Sequence, residues 1–134
     1  MTSIGSENGV RVLVIDDNRD VADSFAMLLK SFDLAVKAAY DGETGVTTAA
    51  AFSPDIAFID IRMPGMDGYE TARRIRSLTL DRRPMIIALS GLGLNESQKL
   101  LDAGFDSHLM KPIGVDAISE IIARRASQGG SKAE

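Results

Sequence analysis

PDIAFIDIRMPGMDG, running from Pro54 to Gly68, is the stretch whose reading decides the fold. An apolar run, Ile56 to Ile59, delivers one carboxylate, Asp60, onto a turn rich in Pro and Gly that opens a helix. A run without polar alternation fits a strand buried on both faces, and such strands belong to parallel sheets covered by helices. Asp60 then stands at the carboxyl end of a central strand, the end at which open α/β sheets bind ligands. Asp67 with Glu70 three residues on forms an Asp version of a capping box for a helix over Gly68 to Leu78, so Asp67 has a local role.

The pattern repeats outward. Val10 to Ile15 is an apolar run broken only by Arg11, and it ends in Asp16-Asp17-Asn18. Met85 to Leu89 ends in Ser90, and Ser107 to Met110 is stopped by Lys111-Pro112. A weaker stretch, Ala35 to Ala39 with a solvated Lys37, suits a sheet edge. Between these runs, Val21, Phe25, Leu28, Leu29 and Phe32 recur at helical spacing. Asp41 caps a second helix reaching about Ala51, Asn95 caps a short fourth helix closed by Gly104, and Val115, Ile118, Ile121 and Ile122 mark the last. Five strands alternating with five helices specify a parallel sheet wound on both sides. Residues 1–9 read as a flexible segment, 10–126 as one domain and 127–134 as a flexible tail. Gly91 to Leu94 reads as a mobile loop, since it lacks the glycine spacing and lysine of a phosphate cradle. Met63, Met66 and Met110 are expected to pack.

With 134 residues, 45% hydrophobic and 25% charged, the chain can bury a full core as a single domain. A net charge of -4 and a pI near 5.0 argue against a nucleic-acid surface, which needs clustered Lys and Arg. The absence of cysteine excludes disulfides and thiolate metal sites. No stretch has a signal peptide's apolar core or the length of a membrane span, so a cytoplasmic protein without membrane contact is expected.

Asp16, Asp17, Asp60, Ser90 and Lys111 all fall at the same end of different strands, and neighbouring strands bring them into one cleft. Two carboxylates ~4 Å apart repel by about 4 kcal/mol at an effective dielectric of ~20, so three demand a cation or a proton. Oxygen ligands without His or Cys select a hard ion, with Mg²⁺ first because it needs only one or two carboxylates. A carboxylate nucleophile beside such an ion, an ammonium and a hydroxyl is equipped for phosphoryl transfer.

These residues closely resemble the receiver domain of two-component response regulators. Its hallmarks stand here as Asp16-Asp17, the Asp-x-x-x-Pro-x-x-Asp-Gly of Asp60 to Gly68, Ser90 and Lys111-Pro112, and the likeness covers about residues 10 to 125. The resemblance implies a flavodoxin-like fold with strand order 2-1-3-4-5. It implies that Asp60 accepts the phosphoryl group, that Asp17 binds Mg²⁺ directly and Asp16 through water, and that the Arg62 backbone carbonyl is a further ligand. Lys111 would pair with the phosphoryl group, Ser90 would move to hydrogen-bond it, and the Lys111-Pro112 peptide would be cis. Arg62 and Leu92 border the path of the hydrolytic water, which implies a long-lived phosphoryl group. The donor would be a histidine kinase or a histidine-phosphotransfer protein. A downstream protein would read the face built by the fourth helix, fifth strand and fifth helix. His108 holds the place of an aromatic switch residue on that face, and reading it as a half-exposed strand residue without a switching role is equally open.

Such a protein catalyses only its own phosphorylation and slow dephosphorylation. An aspartyl phosphatase would carry a second Asp two residues after Asp60, where Arg62 stands, and a flavin carrier would be repelled by Asp16-Asp17. The receiver of a hybrid sensor kinase and a non-phosphorylated receiver-like scaffold are the alternative readings. Too few residues follow Arg125 for an output module, so none is expected in this chain.

Overall fold

A computed structural model describes residues 10–90 and 97–132. The chain alternates β1 (Arg11–Ile15), α1 (Arg19–Lys30), β2 (Ala35–Ala39), α2 (Gly42–Phe52), β3 (Ile56–Asp60), α3 (Gly68–Arg76), β4 (Met85–Ser90), α4 (Ser97–Ala103), β5 (Ser107–Met110) and α5 (Val115–Lys132). The strands form one parallel sheet in the order β2-β1-β3-β4-β5, as the resemblance implied. Parallel neighbours need helical crossovers, and each is supplied here.

The period of two along each strand divides the core. Leu13, Ile15, Ala57, Ile59, Ile86 and Ala88 face one side, under Ala49 of α2, Ala72 and Ile75 of α3, and Leu100 and Ala103 of α4. Val12, Val14, Ile56, Phe58, Ile87 and Leu89 face the other, under Phe25 and Leu29 of α1 and Ile118 and Ile121 of α5. Covered on both faces, β3 and β4 are buried at every residue, which is why their sequences show no polar alternation. Phe58 meets Phe25 edge to face, with ring centroids 4.9 Å apart.

The helix starts follow their side chains. Asn18, Asp41 and Asp67 accept hydrogen bonds from the N–H groups of Val21, Thr44 and Glu70 at the starts of α1, α2 and α3. Only half of the capping box at Asp67 forms, because the Glu70 carboxylate is held by Arg73 at 3.3 Å and Arg74 at 2.8 Å. Gly104, at positive φ, closes α4, and Asn95 lies outside the described residues.

The structure departs from expectation at two places. The backbone of α5 stays helical through Lys132, past the expected end at Ala126. Met110, expected to pack, is 57% exposed, because it lies on the side of the edge strand opposite Leu109, which joins the core. Met63 is buried as expected.

Candidate functional site in the cleft at the carboxyl end of the sheet

Strand register sets the geometry. Ile15 pairs with Ile59, Asp60 with Leu89 and Ser90 with Met110, so Asp16, Asp60, Ser90 and Lys111 emerge at one level. The strand order reverses between β1 and β3, and Asp16 and Asp60 flank that switch point. One carboxylate oxygen from each of Asp16, Asp17 and Asp60 lies within 4.8 Å of the others. Asp16 and Asp60 are buried and Asp17 is exposed, giving the cluster one open side.

Lys111 enters from beyond β5 and binds both buried acids. Its Nζ donates to Asp16 Oδ2 at 2.8 Å and lies 3.5 Å from Asp60 Oδ1. Resting Lys111 is therefore held more closely by Asp16 than by Asp60. Its backbone N–H donates to the Ser90 carbonyl at 2.7 Å, locking the fourth and fifth strand ends together. The Lys111-Pro112 peptide is cis. Asp16 also accepts the N–H of Asn18 at 3.0 Å, and Asp60 that of Arg62 at 3.3 Å.

The turn after Asp60 shows why its motif has these residues. A Cβ on Gly68 would come within 2.4 Å of the Asp60 carbonyl oxygen, so only glycine lets α3 start directly against the end of β3. Gly65, at φ 73°, takes the left-handed bend that returns the chain to Asp67. The turn thereby holds Asp60 on a rigid strand end.

One lysine cannot balance three carboxylates. Burial, then the charge on Asp16, push the Asp60 carboxyl up to about 6 from 3.8; Lys111 and the Arg62 N–H oppose this, and the Asp17 carboxyl adds to it. Burial alone would pull the Lys111 ammonium down, but its hydrogen bond to Asp16 and the charges of Asp60 and Asp16 outweigh that and raise it. The cleft is thus a set of oxygen donors short of positive charge. That donor set fits a hard divalent cation.

Of the remaining expected residues, Ser90 is buried at the end of β4 and Arg62 is exposed beside Asp60. His108 is exposed on β5, away from the carboxylates, and Leu92 lies outside the described residues. Sequence reasoning missed the cleft's rim. A groove of about 620 Å³ runs beside Lys111, lined by Val21, Phe25, Leu28, Leu89, Pro112 and Ile113 among others. Val21 is 39% exposed although it belongs to the apolar stripe of α1, a sign that this stripe is wider than the core it covers. Sequence reasoning also missed Asp55, buried at the other end of β3, and Arg125, which falls on the apolar face of α5 seven residues after Ile118. A charge on an apolar stripe was the available signal.

No helix among the described residues is long and apolar enough to cross a membrane. The curated relatives include the response regulator MprA of Mycobacterium bovis, 36% identical over 115 residues, covering 86% of this chain and 48% of that protein. The chain spans about half the length of the curated relatives it matches. Among solved structures, a receiver domain from Methanospirillum hungatei superposes with a TM-score of 0.82 at 25% identity, covering 92% of this chain and 98% of that one. The receiver domain of a sensor histidine kinase from Pseudomonas aeruginosa, with a magnesium ion coordinated in its active site cleft, gives 0.78 at 29% identity, covering 88% and 98%. Residues 12–123 match the family described as the response regulator receiver domain, and with this cleft at the end of a 2-1-3-4-5 sheet the chain belongs to that family of two-component signalling proteins.

Proposed function

We propose that the chain accepts a phosphoryl group on Asp60 from a phosphohistidine and thereby switches a partner-binding face. The observation that carries this reading is the carboxylate triad within 4.8 Å, bound by a single lysine that reaches two of its members. An Asp60 oxygen attacks phosphorus in line; the new P–O bond forms as the P–N bond breaks, and the imidazole leaves with the electron pair and takes up a proton. Lys111 follows the transferred charge and Ser90 hydrogen-bonds a phosphoryl oxygen. Asp16, Asp17, Asp60 and the Arg62 backbone carbonyl would hold Mg²⁺, which supplies neutralising charge when bound. The chain acts on itself and turns over no other substrate.

The donor is a histidine kinase or a histidine-phosphotransfer protein, acting in the cytoplasm. An in-line attack on Asp60 needs the donor's surface to lie over the cleft, and the apolar groove that shares Lys111 offers it a seat. The signal leaves through the face of α4, β5 and α5, where exposed His108, Met110 and Leu101 are available to a downstream protein. Phosphorylation would draw Ser90 inward and shift His108 toward burial. Arg62 and Leu92 would slow the hydrolytic water and lengthen the phosphoryl lifetime. The test is incubation with acetyl phosphate and Mg²⁺, followed by intact mass and alkali treatment. An alkali-labile phosphoryl adduct in wild type, lost in Asp60→Asn, is expected; an adduct retained in Asp60→Asn refutes the assignment.

A further inference from the structure

The cleft has two arms: the end of β1, which leads into Asp16 and Asp17, and the turn over residues 61–67 that follows Asp60. The first turn of α2 is wedged against both. A Cβ on Gly45 would come within 2.4 Å of Ile15 Cδ1 and 2.9 Å of Ile15 Cγ1, and Ile15 is the residue before Asp16. A Cβ on Gly42 would come within 2.4 Å of Thr71 Oγ1 and 3.0 Å of both the Cβ and the carbonyl oxygen of Met66, inside the turn. Ordinary contacts lie at ~3.5–4.0 Å, so a side chain at either position has to push something aside.

The neighbours do not yield easily. Ile15 and Thr71 are fully buried, and the Thr71 hydroxyl donates to the Asp67 carbonyl at 2.8 Å, which also accepts the Thr71 N–H at 3.0 Å. Gly68 in turn lies against the Asp60 carbonyl, so a displacement of Met66 or Asp67 is passed to the end of β3. Asp41 fixes the wedge itself, accepting the Thr44 N–H at 2.7 Å and the Thr44 hydroxyl at 3.1 Å. Glycine weakens a helix, and neither Gly42 nor Gly45 has the positive φ that would require it. Space is the demand that both positions make.

We propose that Gly42 and Gly45 are positioning residues for the carboxylate cluster. By letting α2 touch both arms, they set the separation of Asp16 and Asp17 from Asp60 and the Arg62 carbonyl; their effect on a metal rests on the Mg²⁺ reading proposed above. Mg²⁺ demands near-octahedral ligands at ~2.0–2.1 Å, whereas Ca²⁺ accepts irregular sets at ~2.3–2.6 Å. A cluster forced open therefore loses Mg²⁺ before it loses Ca²⁺, and the two glycines govern which ion is held as well as how tightly.

The test titrates MgCl₂ and CaCl₂ into the full chain by calorimetry and records backbone amide spectra in EDTA. Gly42→Ala should weaken Mg²⁺ about tenfold and Ca²⁺ less than about threefold, and Gly45→Ala should act in the same direction. In EDTA, the Asp17 and Arg62 amides should shift in Gly42→Ala. Thr71→Ala removes the nearest obstructing atom, so Gly42→Ala/Thr71→Ala should recover part of the lost Mg²⁺ affinity; it also serves if Gly42→Ala alone does not fold. The control Ala49→Gly weakens α2 about two turns further from the cleft and should leave the ratio of the two affinities at its wild-type value. Equal losses for Mg²⁺ and Ca²⁺ in Gly42→Ala, the same change of ratio in Ala49→Gly, or Asp17 and Arg62 amides that do not move in EDTA overturn the proposal. Wild type that takes up neither ion overturns the Mg²⁺ reading alone, and the spectra in EDTA then decide the positioning role.

Discussion

At the carboxyl end of the sheet, Asp16, Asp17 and Asp60 share one lysine; at the amino end, Asp55 is shared by Arg82, Arg125 and a backbone N–H. Both ends bury carboxylate on the same scaffold, two acids at the carboxyl end and Asp55 at the amino end, and the sign of the surplus charge separates them. Where carboxylates exceed cations, one acid is pushed toward protonation and the site gains by recruiting positive charge. Where guanidinium groups exceed carboxylates, the acid is pinned and joins segments distant in sequence, here the start of β1, the loop before β4, and α5. Repulsion among its carboxylates costs the first arrangement stability, and ion pairing contributes stability to the second.

The largest effect expected from breaking this contrast is at the pinned end. Asp55→Ala leaves the buried Arg125 charge without its carboxylate and should destabilise the fold by about 3–5 kcal/mol in urea or thermal melts. A loss below about 1 kcal/mol would show that Asp55 is no hub. At the carboxyl end, Asp17→Ala should weaken Mg²⁺ binding roughly a hundredfold by calorimetry, about 2.7 kcal/mol, and Asp16→Ala should do less damage. Equal affinities in wild type and Asp17→Ala would contradict the ligand roles proposed above.

Third, Asp60→Asn should stabilise the protein in EDTA near pH 7, opposite in sign to Asp55→Ala. The Asp60 carboxyl is raised in the folded state from 3.8 to about 6, so the folded protein binds this proton more tightly than the unfolded chain does. Its contribution is present in full below about pH 4 and is lost as pH rises through about 6. The advantage of Asp60→Asn over wild type should therefore open between these values and level off above, at about 1–2 kcal/mol after allowance for solvent screening. A difference in melting temperature that stays flat from pH 4 to 8 would rule this out. The smallest effect calibrates the contrast with an exposed pair: Glu70→Ala, which releases only Arg73 and Arg74, should leave the melting temperature nearly unchanged, and a loss comparable to that of Asp55→Ala would void the distinction.

The carboxyl end was largely legible in the sequence. Apolar runs that stop at Asp16, Asp60, Ser90 and Lys111 mark strand ends, and a parallel sheet has only one end at which its strands finish. Alternation of strands and helices likewise carried the doubly wound fold, because helix and strand periods differ and are local properties of the chain. The capping roles of Asp41 and Asp67 were readable for the same reason: the donor and acceptor lie three residues apart.

What only the tertiary structure decided are relations between groups far apart in the chain. Lys111 prefers Asp16, 95 residues away, over Asp60, and this follows from how the end of β5 meets β1 across two intervening strands. The sequence shows Arg125 on the apolar face of α5 but does not name its partner, since Asp55 reaches it only when β3 and α5 pack. Met110 and Leu109 have similar side chains, yet one is exposed and the other packs, because edge position and face are properties of the assembled sheet. Local pattern thus determined the elements and the residues at their ends, whereas the pairing and burial of charge depend on packing, through which the dielectric and distance governing each interaction are set.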